Sequence, residues 1–192
     1  MKKTIVFLMI VLVAFATNLS AGNFFLAKLS HEGSLIVAWD HMEKSWLTEV
    51  VISADGDLFM LGIGPMLKVG NIEFNAPFSI TLEKKSISDE LSLAPRTDVT
   101  LGKLLIQNWN NIVFSSKYFV SWSTDNRVLY QLAPDHKLGL NFLTSVGGGE
   151  SYSMGILHQY KITEAFTVAS FAGYNITDEE TKAWLKLKFF IP

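Results

Sequence analysis

Lys182-Ala183-Trp184-Leu185-Lys186-Leu187-Lys188-Phe189-Phe190-Ile191 alternates between two chemistries. Ala183, Leu185, Leu187, Phe189 and Ile191 fall on one side of an extended chain, and Lys182, Trp184, Lys186 and Lys188 on the other. Successive side chains of a strand point to opposite faces, so this segment reads as a strand with one apolar and one cationic surface. A helix would scatter the lysines around its circumference. A last strand of this kind, ending on an aromatic pair, suits a sheet with lipid on one side and water on the other.

The same two-sidedness runs back through the chain. In residues 71–83, Ile72, Phe74, Ala76, Phe78, Ile80 and Leu82 oppose Asn71, Glu73, Asn75, Ser79, Thr81 and Glu83. In 91–101, Leu91, Leu93, Val99 and Leu101 oppose Ser92, Arg96, Asp98 and Thr100, with Pro95 marking a bulge or strand end. Residues 137–146 and 151–162 repeat the pattern, and no helical period persists beyond a turn or two. Turn signals separate the runs: Glu32-Gly33, Asp55-Gly56-Asp57, Val69-Gly70-Asn71, Gly102-Lys103, Pro134-Asp135, Gly147-Gly148-Gly149 and residues 175–180.

Strands are therefore predicted at 23–31, 34–42, 45–54, 57–68, 71–83, 89–101, 103–115, 126–133, 136–146, 151–162, 165–174 and 181–190. This is an all-β chain, read as a closed antiparallel up-and-down transmembrane β-barrel of about 12 strands. Counts of 8 or 10 follow if residues 104–122 and the hairpins are divided differently. With both termini at the periplasmic end, the connections there (43–44, 70, 102, 134–135, 163–164) are short. Those opposite include longer polar loops at 84–88, 116–125 and 175–180.

The first 21 residues read as a signal peptide: Lys2 and Lys3, an apolar stretch at 5–16, and small residues up to Ala21. Residues 22–192 form one domain. Among 16 Lys and Arg, two leave with the leader, so the 18 Asp and Glu predominate and the mature chain is mildly acidic, which speaks against nucleic acid as a partner. There is no cysteine, so neither a disulfide nor a lipoprotein anchor is available. No apolar run near the length of a spanning helix follows the leader.

A soluble β-sandwich or ligand-binding barrel alternates too, with its apolar face inside. Loop asymmetry, the closing strand and the tryptophans and tyrosines near strand ends (Trp39, Trp46, Trp109, Trp122, Trp184 and Tyr118 to begin with) favour the membrane form. With its leader, its amphipathic strands and the closing Phe189-Phe190, the chain resembles small bacterial outer-membrane β-barrel proteins. Gly62-Ile63-Gly64-Pro65-Met66-Leu67-Lys68-Val69-Gly70-Asn71 resembles a hairpin of such porin-like proteins. The resemblance implies a location in the bacterial outer membrane, with its lipid and the barrel-assembly machinery as partners. Assembly recognition in that class favours a terminal Phe or Trp, whereas Ile191-Pro192 follow the aromatics here.

Residues able to carry chemistry are sparse. Ser30 and His31 are neighbours on a strand, so they point apart and cannot form a nucleophile–base pair without a bulge. His41 reads as interfacial, His136 as a solvated turn residue and His158 as a member of an apolar face. No spacing matches a metal set, and no cofactor or enzymatic activity is expected. Asp55 and Asp57 serve a turn; Asp89-Glu90 and Asp178-Glu179-Glu180 read as solvated outer-loop acids rather than a calcium site. The triple glycine lacks the helix a phosphate loop needs and reads as a hairpin tip.

The polar faces of the strands are the better candidates. Lys28, Glu49, Glu73, Arg96, Asp98, Arg127, Lys186 and Lys188 mix both signs and are expected to line the lumen. They either plug it with ion pairs or border a water path that sets ion preference. The function this implies is a narrow channel or passive pore for small solutes. The alternatives are a closed structural or adhesive barrel acting through its outer loops, and a soluble secreted binding protein.

Overall fold

The structure, a computed structural model, describes residues 23–30, 34–43, 45–53, 58–83, 86–115, 119–147 and 149–191. The leader residues, His31, Asp55 and Asp57 lie outside this set. Among the described residues every regular element is a strand: β1 (Asn23–Ser30), β2 (Leu35–Glu43), β3 (Trp46–Ser53), β4 (Leu58–Val69), β5 (Ile72–Asn75), β6 (Phe78–Glu83) and β7 (Ser86–Leu93). They continue with β8 (Arg96–Leu101), β9 (Leu104–Phe114), β10 (Phe119–Ala133), β11 (His136–Val146), β12 (Ser151–Thr163), β13 (Phe166–Asn175) and β14 (Glu180–Ile191).

These segments make twelve strands. β5 and β6 both pair with β4, and β7 and β8 both pair with β9, so each couple is one strand interrupted once. The interruptions are Ala76-Pro77 and Ala94-Pro95. Proline has no N–H to give the ladder, so pairing lapses there and resumes beyond it. Neighbouring carbonyls still find partners: Ala76 N–H donates to Pro65 O at 3.1 Å and Ala94 N–H to Pro77 O at 2.9 Å.

All pairings are antiparallel, each strand pairs with its neighbours along the chain, and the ring closes where the last strand meets the first. β14 pairs with β1, from Asn23 opposite Ile191 to Ser30 opposite Trp184. The fold is a closed up-and-down barrel of twelve strands, as the alternation in the sequence predicts. Closure leaves no unpaired edge, which a strand in lipid requires because hydrocarbon offers no hydrogen-bond partner.

The connections at 44–45, 70–71, 102–103, 134–135 and 164–165 are two residues each and share the end of the barrel where β1 starts and β14 stops. Gly70 and Gly102 take φ near +60°, the left-handed conformation that tight turns demand and glycine accepts without strain. The opposite connections are shorter than the sequence led us to expect. β10 already begins at Phe119 and β7 at Ser86, so most of the loops placed at 116–125 and 84–88 is strand. Asp89 and Glu90 accordingly lie within β7 rather than in a loop.

Burial is inverted relative to a water-soluble barrel. Large apolar side chains cover the outside, as with Ile63 at 56% and Phe78 at 62% exposure. Polar ones fill the inside: Asn141 is fully buried, and Glu49, Ser79, Gln107 and Arg127 nearly so.

Candidate functional site: the barrel interior

Directly paired residues share a face, so the registers can be followed around the wall. Glu73 stands opposite Asp98, Asp98 opposite Gln107, Gln107 opposite Arg127 and Arg127 opposite Asn141. Lys28 stands opposite Lys186, Lys188 opposite Leu26, and Glu49 opposite Asp40. Side-chain contacts between unpaired strands identify this face as the inner one. Arg96 of β8 reaches Glu49 of β3, and the Lys186 ammonium of β14 sits 5.4 Å from the Trp109 ring centroid of β9. All eight charged residues singled out from the sequence lie on the inner face.

They divide into two groups. From β8, Arg96 Nη2 reaches across the interior to β3 and donates to both oxygens of Glu49, at 2.8 and 2.7 Å. Asp98 accepts from Trp109 Nε1 at 2.7 Å and from Gln107 Nε2 at 2.6 Å. Asp40 stands beside Glu49, so the acids gather here with one arginine among them. The cations gather on β14 and β1, which adjoin β2 in the ring, and on β10. Arg127 Nε donates to Asp125 Oδ1 at 2.8 Å, its Nη2 donates to Oδ2, and Asn141 Nδ2 also donates to Asp125.

The lysines are held differently. Lys28 lies 5.3 Å from the Trp184 ring centroid, Lys186 lies between Trp109 and Trp184, and Lys188 lies 3.9 Å from the Phe24 ring. Among the described residues none of the three has a carboxylate oxygen within ion-pair distance. Their near neighbours are the negative faces of aromatic rings. Arg127 shares this arrangement, its guanidinium 4.1 Å from the Trp109 centroid. Glu73 stands apart, in a looser pair with Lys68 at 3.7 Å near the 70–71 turn.

Part of the interior is filled. Leu129, Leu157 and Phe171 are buried on the inner face with Leu105, Leu143 and Trp184 packed against them, and Phe171 stacks on Trp184 at 5.6 Å. Towards the loop end the interior opens into a cavity of about 380 Å³, bordered by Arg96, Trp109, Ser123, Asp125, Ser145 and Lys182. The interior thus opens towards the loop end, beyond an aromatic and aliphatic constriction.

Several sequence expectations need correction here. Trp109 and Trp184 belong to the interior, not to an interfacial girdle. His136 is not merely a solvated turn residue: it opens β11, stacks on Tyr160 at 4.4 Å and lies 3.3 Å from His158. Asp178 and Glu180 flank Lys182, at 3.9 and 3.2 Å. Asp125 lies within β10, in a polar run that resembles a loop in the sequence, although the alternation of Ser123, Asp125, Arg127 and Leu129 carries the strand back through it.

No protein-family model matches the chain, and no curated protein matches it by sequence. Solved structures match its fold. The KdgM porin superposes with a TM-score of 0.63 at 11% identity, over 88% of this chain and 98% of that one. A KdgM porin in complex with disordered oligogalacturonate gives 0.64 at 10% identity, over 88% and 98%. The NanC porin gives 0.61 at 7% identity, over 88% and 99%. The chain has the porin-like barrel fold, at nearly the full length of these small porins.

Proposed function

We propose that this protein is an outer-membrane pore for small solutes that favours anions. The observation that carries the reading is the inverted barrel: apolar side chains outside, and lysines inside that rest on aromatic faces instead of carboxylates. No carboxylate among the described residues engages these lysines, whereas Arg96 and Arg127 are engaged by Glu49 and Asp125. Ser79, Ser92, Gln107 and Asn141 place further polar side chains on the inner face, as a polar interior requires.

Residues 1–21 direct export, the assembly machinery inserts residues 22–192, and the two-residue turns face the periplasm. The protein is a conduit and not an enzyme. The KdgM structure with oligogalacturonate contains an acidic oligosaccharide, and small organic acids, sugar acids among them, are the solutes this lumen suits.

The test is conductance of the refolded, heat-modifiable barrel in planar bilayers, with reversal potentials in a salt gradient. An anion-selective current that Lys186→Glu weakens or inverts is expected. A folded barrel that passes no current overturns the reading. A closed structural barrel is the second reading, favoured by the packing of Leu129, Leu157 and Phe171 inside, and silence in that experiment would select it. The shortened connections leave little loop for an adhesive role.

A further inference from the structure

The outer wall carries an interruption in its apolar surface. Thr97, Asn108 and Asn126 stand in register across β8, β9 and β10, and Asn110 stands opposite Thr124 one row away. Their chain neighbours Asp98, Gln107, Trp109, Asp125 and Arg127 point inward, so this set points outward. The side chains bond into a ladder. Trp122 Nε1 donates to Asn110 Oδ1 at 3.1 Å, and Asn110 Nδ2 donates to Asn108 Oδ1 at 2.7 Å. Asn108 Nδ2 in turn donates to Asn126 Oδ1, and Asn126 Nδ2 to Thr124 Oγ1.

The ladder lies within the apolar band, not at its rim. Along β9, Ile106 precedes it on the same face and Ile112 and Phe114 follow it. Hydrocarbon offers amides nothing, and a carboxamide carries two N–H donors and two acceptor lone pairs. The ladder occupies one N–H of Asn108 and one of Asn126, leaving each with a second N–H on the outer face.

We propose that this strip is the contact face for a second copy of this chain, packed about a two-fold axis that lays the ladder against itself. A two-fold contact presents the same residues from both sides, so its groups must complement themselves. Amides do so because each both donates and accepts; a patch of one charge could not. Lipid tails cannot answer these groups at this depth, and polar headgroups lie at the rims. The inference rests on the membrane reading given above.

The chain has no cysteine, so Asn108→Cys and Asn126→Cys each install a single thiol in the strip, and Ile156→Cys on the outer face of β12 is the control. Oxidation in isolated outer membranes is expected to give a disulfide-linked species of twice the chain mass from the strip variants and not from the control. The unsubstituted protein, extracted with its lipid and sized by light scattering, is expected at two copies, falling to one in the Asn108→Leu/Asn126→Leu variant. A single-copy mass for the unsubstituted protein, cross-linking no stronger than the control, or a conjugate with a different protein overturns the proposal. A membrane-resident conducting barrel that is monomeric fails the dimer alone. Recovery of the chain in the soluble fraction fails the membrane reading beneath it.

Discussion

Lys28 of β1 and Lys186 of β14 stand directly opposite each other across the seam that closes the barrel, both on its inner face. Like charges in that relation repel, at a cost of roughly 0.2–1 kcal/mol. Two indole rings offset the repulsion, because Trp184 lies near both ammonium groups and Trp109 near Lys186. The cationic side of the closing strand therefore depends on tryptophans from its own strand and from across the lumen.

Lys186→Met keeps most of the aliphatic stem and removes one of the two like charges. It is expected to raise stability by up to about 1 kcal/mol, read as a later urea midpoint in lipid, while lowering anion preference. Trp184→Leu acts in the opposite sense. It removes the ring shared by Lys28 and Lys186 and the stack on Phe171, at an expected cost of about 3 kcal/mol. A neutral result for Trp184→Leu would show that the seam is held some other way.

Arg96 and Glu49 form a bidentate ion pair across the interior, with two strands, β4 and β5, between theirs in the ring and the Glu49 side chain 8% exposed. Removing one partner strands the other. Arg96→Met is expected to cost about 3 kcal/mol and Glu49→Leu a comparable amount, whereas the double variant Glu49→Leu/Arg96→Met recovers most of the loss. A double-mutant cycle of unfolding free energies measures the coupling. Additive losses would mean that water, not the partner, solvates each charge.

The wall was more legible than the lumen. Period-2 alternation located the strands within a few residues, and even the prolines did not disturb it: Phe74 and Phe78 keep the same face across the Ala76-Pro77 break. Strand count followed, because each hairpin turn carries its own local chemistry, as at Gly70 and Gly102. Parity is a property of the chain alone, so the sequence can assign a side chain to one face or the other. Partnership did not follow. Nothing in the sequence brings Lys186 to Trp109 or Arg96 to Glu49, because barrel closure and strand tilt decide which inner side chains meet across the interior. Asp125 shows the remaining weakness: polar runs at strand ends look like loops, and only the closed ladder shows that β10 continues through them.

Leu129, Leu157 and Phe171 narrow the interior from one side, with exposures of at most 2%. Leu129→Ala and Phe171→Ala are expected to lose about 2–5 kcal/mol each and to raise single-channel conductance, since the volume removed adjoins the path. An equivalent outer substitution, Leu140→Ala, should leave conductance unchanged. Loss of stability without any gain in current would place the permeation path elsewhere in the interior.

The sharpest test of the inverted barrel uses two neighbouring pairs on β4 and β6. Ile63 stands opposite Phe78 on the outer face, and one residue along, Gly62 stands opposite Ser79 on the inner face. Ser79 is nearly buried and its hydroxyl has no protein partner among the described residues, so Ser79→Ala should change stability little. Ile63→Lys places an ammonium group against hydrocarbon and is expected to cost about 2–4 kcal/mol for folding into lipid vesicles, near the upper value if the site lies at the bilayer midplane. On a water-facing surface the same change would be neutral or would improve solubility, because the outward lysine would be hydrated. Folding efficiency of the two variants into vesicles, against unsubstituted protein, separates the cases: a large penalty for Ile63→Lys beside a small one for Ser79→Ala requires lipid outside, and the reverse order requires water there.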